Sequence, residues 1–461
     1  MKPLFYLKIF FVTTLTCLFN LSKAQIFDGT ENVITDSLET IDGPQSVFSA
    51  DLDGDGDMDV LFSSQFDNKI AWYQNDGLGN FGQQKIISQT TKSAEQVIAI
   101  DLDGDGDLDI LSTCFNNGSK IIWFQNDGRG NFGEQLIIST NIRYAKSIYA
   151  TDLDGDGDMD VLSASVYDNK IAWYKNDGEG NYGEQKIISI DAKEAQSVFA
   201  TDIDGDGDVD VLSASLSDNK IAWYQNDGEG NFGAQKIISI SERYPSSIYA
   251  ADLDGDGDMD VLSSCYTDDK IAWYKNDGMG NFSVQQIIST NAMRAQDVYT
   301  ADIDNDGDMD VLSASNFDDK IAWYKNDGVG NFGTELIISN NNDLAQSVFA
   351  ADLDGDGDMD VLSASIGDDK IAWYENKSVV GINENINGPK HLNWTNTSNG
   401  LSLQSLSKTE SKIEIYNSQG QLVTTASLDP NANRILQLTS GMYILKVESN
   451  NDYSIVKVIV E

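Results

Sequence analysis

Five aspartates stand at alternate positions of "DLDGDGDMD", residues 51–59, with glycines at 54 and 56. Alternate carboxylates on a glycine-bent loop point inward at a common centre. Hard oxygens in that number suit Ca²⁺, which takes about 6 to 8 of them at roughly 2.3–2.6 Å. Without a cation, neighbouring carboxylates ~5 Å apart at an effective dielectric of ~20 would repel by about 3 kcal/mol. The chain writes the stretch seven times. The candidate metal ligands are Asp51, Asp53, Asp55, Asp57 and Asp59, then Asp101, Asp103, Asp105, Asp107 and Asp109, then Asp152, Asp154, Asp156, Asp158 and Asp160. They continue with Asp202, Asp204, Asp206, Asp208 and Asp210, and with Asp252, Asp254, Asp256, Asp258 and Asp260. Asp302, Asp304, Asp306, Asp308 and Asp310, and finally Asp352, Asp354, Asp356, Asp358 and Asp360, complete the set.

The stretch matches the start of an EF-hand loop, with aspartates at the first, third and fifth positions and the turn glycine at the sixth. It departs at the twelfth, where Phe62, or serine in the other repeats, replaces the bidentate glutamate. The ninth position, Asp59, must then close the site by side chain, and Asp57 gives its backbone carbonyl. Asn305 replaces a glycine at a non-ligand position, which costs little because asparagine tolerates turn conformations. A merely solvated acidic surface would not keep ligand-like spacing with a turn glycine. Magnesium prefers few carboxylates and several waters. Up to seven calcium ions are therefore expected.

The elements that position these loops repeat with a period of 50, broken once by an extra residue in "FNNGSK". Within one unit, "SIYAT", "VLSAS", "KIAWYK" and "YGEQKIIS" read as four strands, joined by the aspartate loop and the Gly-Asn turn "NDGEGN". Four antiparallel strands per unit is the content of one propeller blade. The fourth strand occurs only six times, at Phe81, Phe132, Tyr182, Phe232, Phe282 and Phe332, while "IFDGTENVIT" from Ile26 mimics it at the other end of the chain. The expected fold is all-β: a seven-bladed β-propeller over residues 25–377, closed by the N-terminal strand so that no sheet edge stays open. Trp72, Trp123, Trp173, Trp223, Trp273, Trp323 and Trp373 in the "IAWY" runs read as interblade core, rather than a sugar-stacking platform.

The net charge of −44, with 74 acidic and 30 basic residues, argues against nucleic acid and anionic membrane as partners, while 40% apolar residues supply a core. Residues 1–24 read as a secretory signal: Lys2 and Lys8 lead, an apolar run follows, and "SKA" offers a small-x-small cleavage site. Removing it takes three lysines and no acid, and the net charge becomes −47. No later stretch is long and apolar enough to span a bilayer. Cys114 and Cys265 occupy equivalent positions three repeats apart, too far for a disulfide, and read as buried thiols.

"DLDGDGDMDVLSAS" followed by "NDGEGNF" resembles the FG-GAP or VCBS repeats of integrin-type seven-bladed propellers, whose nine-residue loops hold calcium between the first and second strands. The resemblance implies side-chain ligands at the first, third, fifth and ninth aspartates of each loop and a main-chain ligand at the seventh. After a polar linker at 378–390, residues 391–461 alternate as strands of a small β-sandwich. The "IYNSQGQLV" hairpin, the step at Gly441, Met442 and Tyr443, and the terminal "KVIV" resemble the type A sorting domain of the type IX secretion system of Bacteroidota. That implies the secretion machinery as a partner, and release outside the cell or attachment to its surface.

The loops opposite the aspartates diverge: "TTKSAEQ", "NIRYAKS", "SERYPSS" and "NAMRAQD" differ where "DLDGDGD" does not. Two readings fit, relaxed loop drift or a binding surface with Arg143, Tyr144, Arg243, Tyr244 and Arg294 as contact residues. The first functional expectation is a non-catalytic binding or adhesion module for an extracellular protein or glycan, with a multivalent lectin as a sub-case. The alternative is an enzyme such as a polysaccharide lyase. The propeller has no histidine, the only one being His391, and no unit shows a singular cluster of acid, base and nucleophile against the repeat background.

Overall fold

The computed structural model describes residues 26–34, 41–115, 118–377, 392–397, 400–405, 411–417, 422–430, 432–436, 441–449 and 452–460. The expected signal segment 1–24 and the expected linker 378–390 lie outside these residues. All described secondary structure is strand and turn, and no helix among the described residues is long and apolar enough to cross a membrane.

Within the first repeat, β2 (Pro44–Ala50), β3 (Asp59–Ser64), β4 (Lys69–Asn75) and β5 (Phe81–Ser88) pair in that order as one antiparallel sheet. β3 is buried along its whole length because neighbouring sheets cover both of its faces, which explains its unbroken run of small and apolar residues. Its register on β4 sets Leu61 against Trp72 and Val60 against Tyr73. The later repeats use the same register, as in Leu212 against Trp223 and Leu362 against Trp373. In repeats two to six the fourth strand is shorter than the sequence implies. It begins near "KIIS", and the preceding aromatic makes only an isolated bridge to the turn asparagine, as Phe232 does to Asn226.

The seventh sheet is completed from the other end of the chain. β1 (Asn32–Val33) pairs antiparallel with Lys370–Tyr374, setting Asn32 against Trp373. The segment is mostly irregular, and the match lies in its contacts: Phe27 meets the Trp323 ring edge-on at 6.3 Å, as Phe132 meets Trp72 at 6.4 Å. The seventh blade packs on the first, with Leu353, Leu362 and Trp373 in one core cluster with Val47, Val60 and Tyr73. Innermost strands touch in sequence around the array, and β2 meets Ala345–Ala351. All seven repeat tryptophans are buried between blades, so they offer no stacking platform. Cys114 and Cys265 are free and buried.

Downstream, Leu392–Thr397, Gly400–Ser405 and Asn433–Leu436 form a three-stranded sheet, and four further strands form a second one. Leu401 and Leu403 of the first share a core with Ile413, Ile415 and Leu445 of the second, which is the sandwich the alternation predicts.

Candidate functional site

In the first loop, Asp51 organises the backbone. Its Oδ1 accepts from the Gly54 N–H at 2.8 Å and the Asp55 N–H at 3.2 Å, and its Oδ2 from the Gly56 N–H at 2.9 Å. Gly54 and Gly56 have φ of 75° and 96°; the first of these positions also accepts Asn305, at 54°, while the second is glycine in all seven loops. Asp59 is fully buried at the foot of the loop, where Oδ2 accepts from Leu52 N–H at 3.0 Å and Oδ1 from Asn75 N–H at 2.9 Å. Burial raises its carboxyl to about 7 against those two bonds.

Carboxylate oxygens of Asp51, Asp53 and Asp59 lie within 4.8 Å of one another, and Asp101, Asp103 and Asp109, Asp152, Asp154 and Asp160, and Asp252, Asp254 and Asp260 converge in the same way. In the fourth loop the close group is Asp202, Asp204 and Asp206. The third-position carboxylate has one oxygen, Oδ1, that is buried without a hydrogen-bond partner in Asp53, Asp103, Asp154, Asp204, Asp254 and Asp304. A buried orphan oxygen beside two further carboxylates fits a hard cation, which would satisfy all three at once. The third- and ninth-position aspartates thus converge with the first in loops one, two, three and five, while in loop four the fifth-position Asp206 takes the place of the ninth. Asp55 is exposed and Asp57 half-buried at the rim, where the Asp57 N–H donates to Asp55 Oδ1 at 3.1 Å.

Sequence reasoning missed three features around the loops. The first is the turn asparagine. Asn75 Nδ2 donates to Met58 O of its own loop at 2.9 Å and to Leu353 O of the preceding blade's loop at 2.7 Å. Asn126, Asn176, Asn226, Asn276, Asn326 and Asn376 repeat this double bond. The second is the close approach at the same turn: a Cβ on Gly130 would stand 2.4 Å from the Trp72 indole of the preceding blade. Aspartate loop, turn and tryptophan thus interlock from blade to blade.

The third is the residue that ends the third strand, which differs between blades. Gln74, Gln125 and Gln225 donate to the third-position aspartate, each at 2.5 Å. Lys175, Lys275 and Lys325 take its place in blades three, five and six. Each pairs with the third-position aspartate and also with the fifth, at 2.8, 2.9 and 2.7 Å to Asp156, Asp256 and Asp306. In the seventh blade the residue is Glu375. Burial, then Asp356, then the Glu375 charge push Asp354 up to about 6.

At the opposite end, the residue before each innermost strand has a left-handed φ in every blade. Gly43, Ser93, Tyr144, Glu194, Tyr244, Arg294 and Leu344 lie between 49° and 69°. Every N–H of this set is held by a side chain of the preceding blade, as Arg294 is by Asp269 Oδ1 at 2.8 Å and Tyr144 by Ser119 Oγ at 2.8 Å. Arg143, Arg243, Tyr244 and Arg294 are exposed there. The Arg294 guanidinium stands over the rings of Phe317 and Tyr266 at 4.6 and 5.3 Å. Tyr144 is half-buried, its ring tilted against Phe115 with centroids 4.3 Å apart, and its hydroxyl donates to Glu95 at 3.2 Å, so part of its role is structural.

One singular acidic cluster exists after all. Glu242 is fully buried among Cys265, Tyr274 and Lys270, whose Nζ is 3.3 Å away. Burial first, then the Glu242 charge, drive the Cys265 thiol far above its ordinary range. With every polar atom of Glu242 turned inward, the cluster reads as a satisfied core network.

A search of the curated proteins finds no match. Among solved structures, an Agrocybe aegerita lectin described as recognising non-reducing terminal N-acetylglucosamine is 18% identical with a TM-score of 0.51, covering 70% of this chain and 86% of its own. The Photorhabdus luminescens Tc holotoxin pore is 13% identical with a TM-score of 0.37, covering 84% of this chain and 21% of its own. The first likeness speaks to the fold and the second carries no argument. Residues 395–461 match the secretion system C-terminal sorting domain, which directs export to the cell surface or beyond it. The FG-GAP-like repeat matches six times, at 51–112, 101–163, 152–213, 202–263, 252–313 and 302–363, each match running from one aspartate loop to the next. With all seven loops spanned and more than half of its length matched, the chain belongs to the FG-GAP-like repeat family.

Proposed function

We propose that this is an exported, calcium-braced propeller that binds an extracellular glycan or protein through the end opposite its metal loops, without catalysis. Calcium is favoured over other cations by the number of carboxylates and by loops that carry no histidine or cysteine. The carrying observation concerns the divergent end. Drift would relax the backbone along with the side chains, yet the backbone here is held in one left-handed form by the same bond in all seven blades. Glycine would be the least strained choice at those positions, and only Gly43 uses it. Tyr244, Arg294 and Leu344 each bear a strain of roughly 1–2 kcal/mol. Different side chains kept on one strained frame support a recognition surface.

The test is a glycan array with a matrix-protein overlay, using calcium-saturated chain. Binding is expected, lost in Tyr244→Gly/Arg294→Gly and kept in Met279→Ser, which alters an exposed turn at the metal end. Failure to bind any glycan or protein counts against the reading. Release of unsaturated sugars from algal or pectic polysaccharide would replace it with a lyase.

A further inference from the structure

The seven innermost strands surround one cavity of about 410 Å³, within the range of about 300–1,000 Å³ typical of small-ligand sites. Its wall breaks the sevenfold identity of the chain. At the second position of the innermost strand stand Gln45, Glu95, Lys146, Gln196, Ser246, Gln296 and Gln346. This position lies next to the left-handed residues, so the tier faces the divergent end. Glu95 is only 2% exposed and is saturated: Lys146 Nζ binds it at 2.7 Å, and Gln65 and Tyr144 donate to its other oxygen at 3.1 and 3.2 Å. The pair leaves this part of the wall neutral. An ammonium has three donors, of which Glu95 and the Tyr144 oxygen take two, and the Lys146 side chain, 22% exposed, lines the cavity.

Deeper in, Asp297 is committed to Ser247 Oγ at 3.0 Å and to the Val298 and Val348 N–H groups at 3.0 and 3.2 Å, so its charge is already met by donors. Below it, aromatic rings follow one another around the wall, with Tyr149, Phe199, Tyr249, Tyr299 and Phe349 at centroid spacings of 4.5–5.3 Å. Ile98 interrupts the girdle.

We infer that this axial well is a single binding site for a neutral sugar terminus entering from the divergent end. Carboxamides both donate and accept, as sugar hydroxyls do, and four of them share the upper tier with one ammonium and one serine hydroxyl. The aromatic rings beneath, packed against one another around the wall, give an apolar floor that suits the C–H groups of a pyranose. A net-acidic wall with one paired lysine disfavours an anion, and a polar upper tier disfavours an apolar ligand. Because the tier lacks sevenfold symmetry, one ligand binds per chain. The inference rests on the binding-face reading and names its centre.

The experiment is isothermal titration of the full, calcium-loaded chain with neutral trisaccharides of cello, chito, xylo and galacto configuration. Expected is binding of at least one at a stoichiometry near one, weakened tenfold or more in Gln196→Leu/Gln296→Leu while the calcium-dependent melt is unchanged. A stoichiometry near six or seven overturns the well, as does failure of every trisaccharide at millimolar concentration. If the array ligand is a protein that free saccharide does not displace, the well is also refuted. Binding lost in Tyr244→Gly/Arg294→Gly but untouched in the glutamine variant keeps the binding face and removes the well.

Discussion

The residue closing the third strand should grade the proposed metal sites. Lys175 lies 2.8 Å from Asp156 and also pairs with Asp154, so an ion seated among Asp152, Asp154 and Asp160 would lie near its ammonium. For a divalent and a monovalent charge ~5 Å apart, the repulsion is roughly 1.7 kcal/mol at the dielectric of water and about 7 kcal/mol at an effective ~20. The Lys175 side chain is 40% exposed and can turn into solvent, so the lower figure governs. A cost of about 1.7 kcal/mol is more than tenfold in affinity. Glutamine at Gln74, Gln125 and Gln225 adds no charge, and Glu375 adds an attraction of similar size. Calcium titration followed by native mass spectrometry should therefore find blade seven filling first, then blades one, two and four, and blades three, five and six last. The triple variant Lys175→Gln/Lys275→Gln/Lys325→Gln should merge the last class with the second. A single uniform class in the wild type, or three late ions persisting in the variant, would refute the reasoning.

The loops also fix the pH response. Burial holds the carboxyls of Asp59, Asp109, Asp210, Asp260 and Asp310 up at about 7. Without metal the folded chain keeps protons that the unfolded chain gives up near pH ~3.9. Their contribution to stability is complete below that pH and lost as pH rises through about 7. Melting in chelator should thus fall from about pH 5 to about pH 8, and excess calcium should raise it most at the alkaline end; a chelator curve that rises with pH contradicts this. Gly130→Ala, driven into the Trp72 indole, should cost more than about 3 kcal/mol, against about 1–2 kcal/mol for Gly106→Ala, which meets nothing within 4 Å; equal losses on denaturation would remove the interlock. Asn226→Ala takes the donor from Leu153 O and Val209 O and should cost about 2–5 kcal/mol by urea titration, with a loss below ~1 kcal/mol showing the tie to be idle.

The aspartate spacing, the strand content and the closing segment were legible because each is local. Phe27 copies Phe132 in sequence and so copies its contact with a tryptophan. What stayed hidden depends on the neighbouring blade. Asn226 reads as a turn former, and its bond to Leu153 spans 73 residues. Lys175 reads as a solvated strand end until the loop is folded back upon it. The left-handed frame under Tyr244 and Arg294 leaves no mark in residue type, since these are residues that avoid such a conformation. Glu242 reads as a loop carboxylate and lies in the core.

The proposed function divides the labour between the two ends of the propeller, metal at one and ligand at the other. Hydrogen–deuterium exchange of the calcium-loaded chain, with and without the ligand that the array identifies, tests this directly. Protection is predicted at residues 91–96, 142–146, 242–246 and 292–297, with the aspartate loops and "NDG" turns unchanged. Protection confined to the aspartate loops and turns would contradict it.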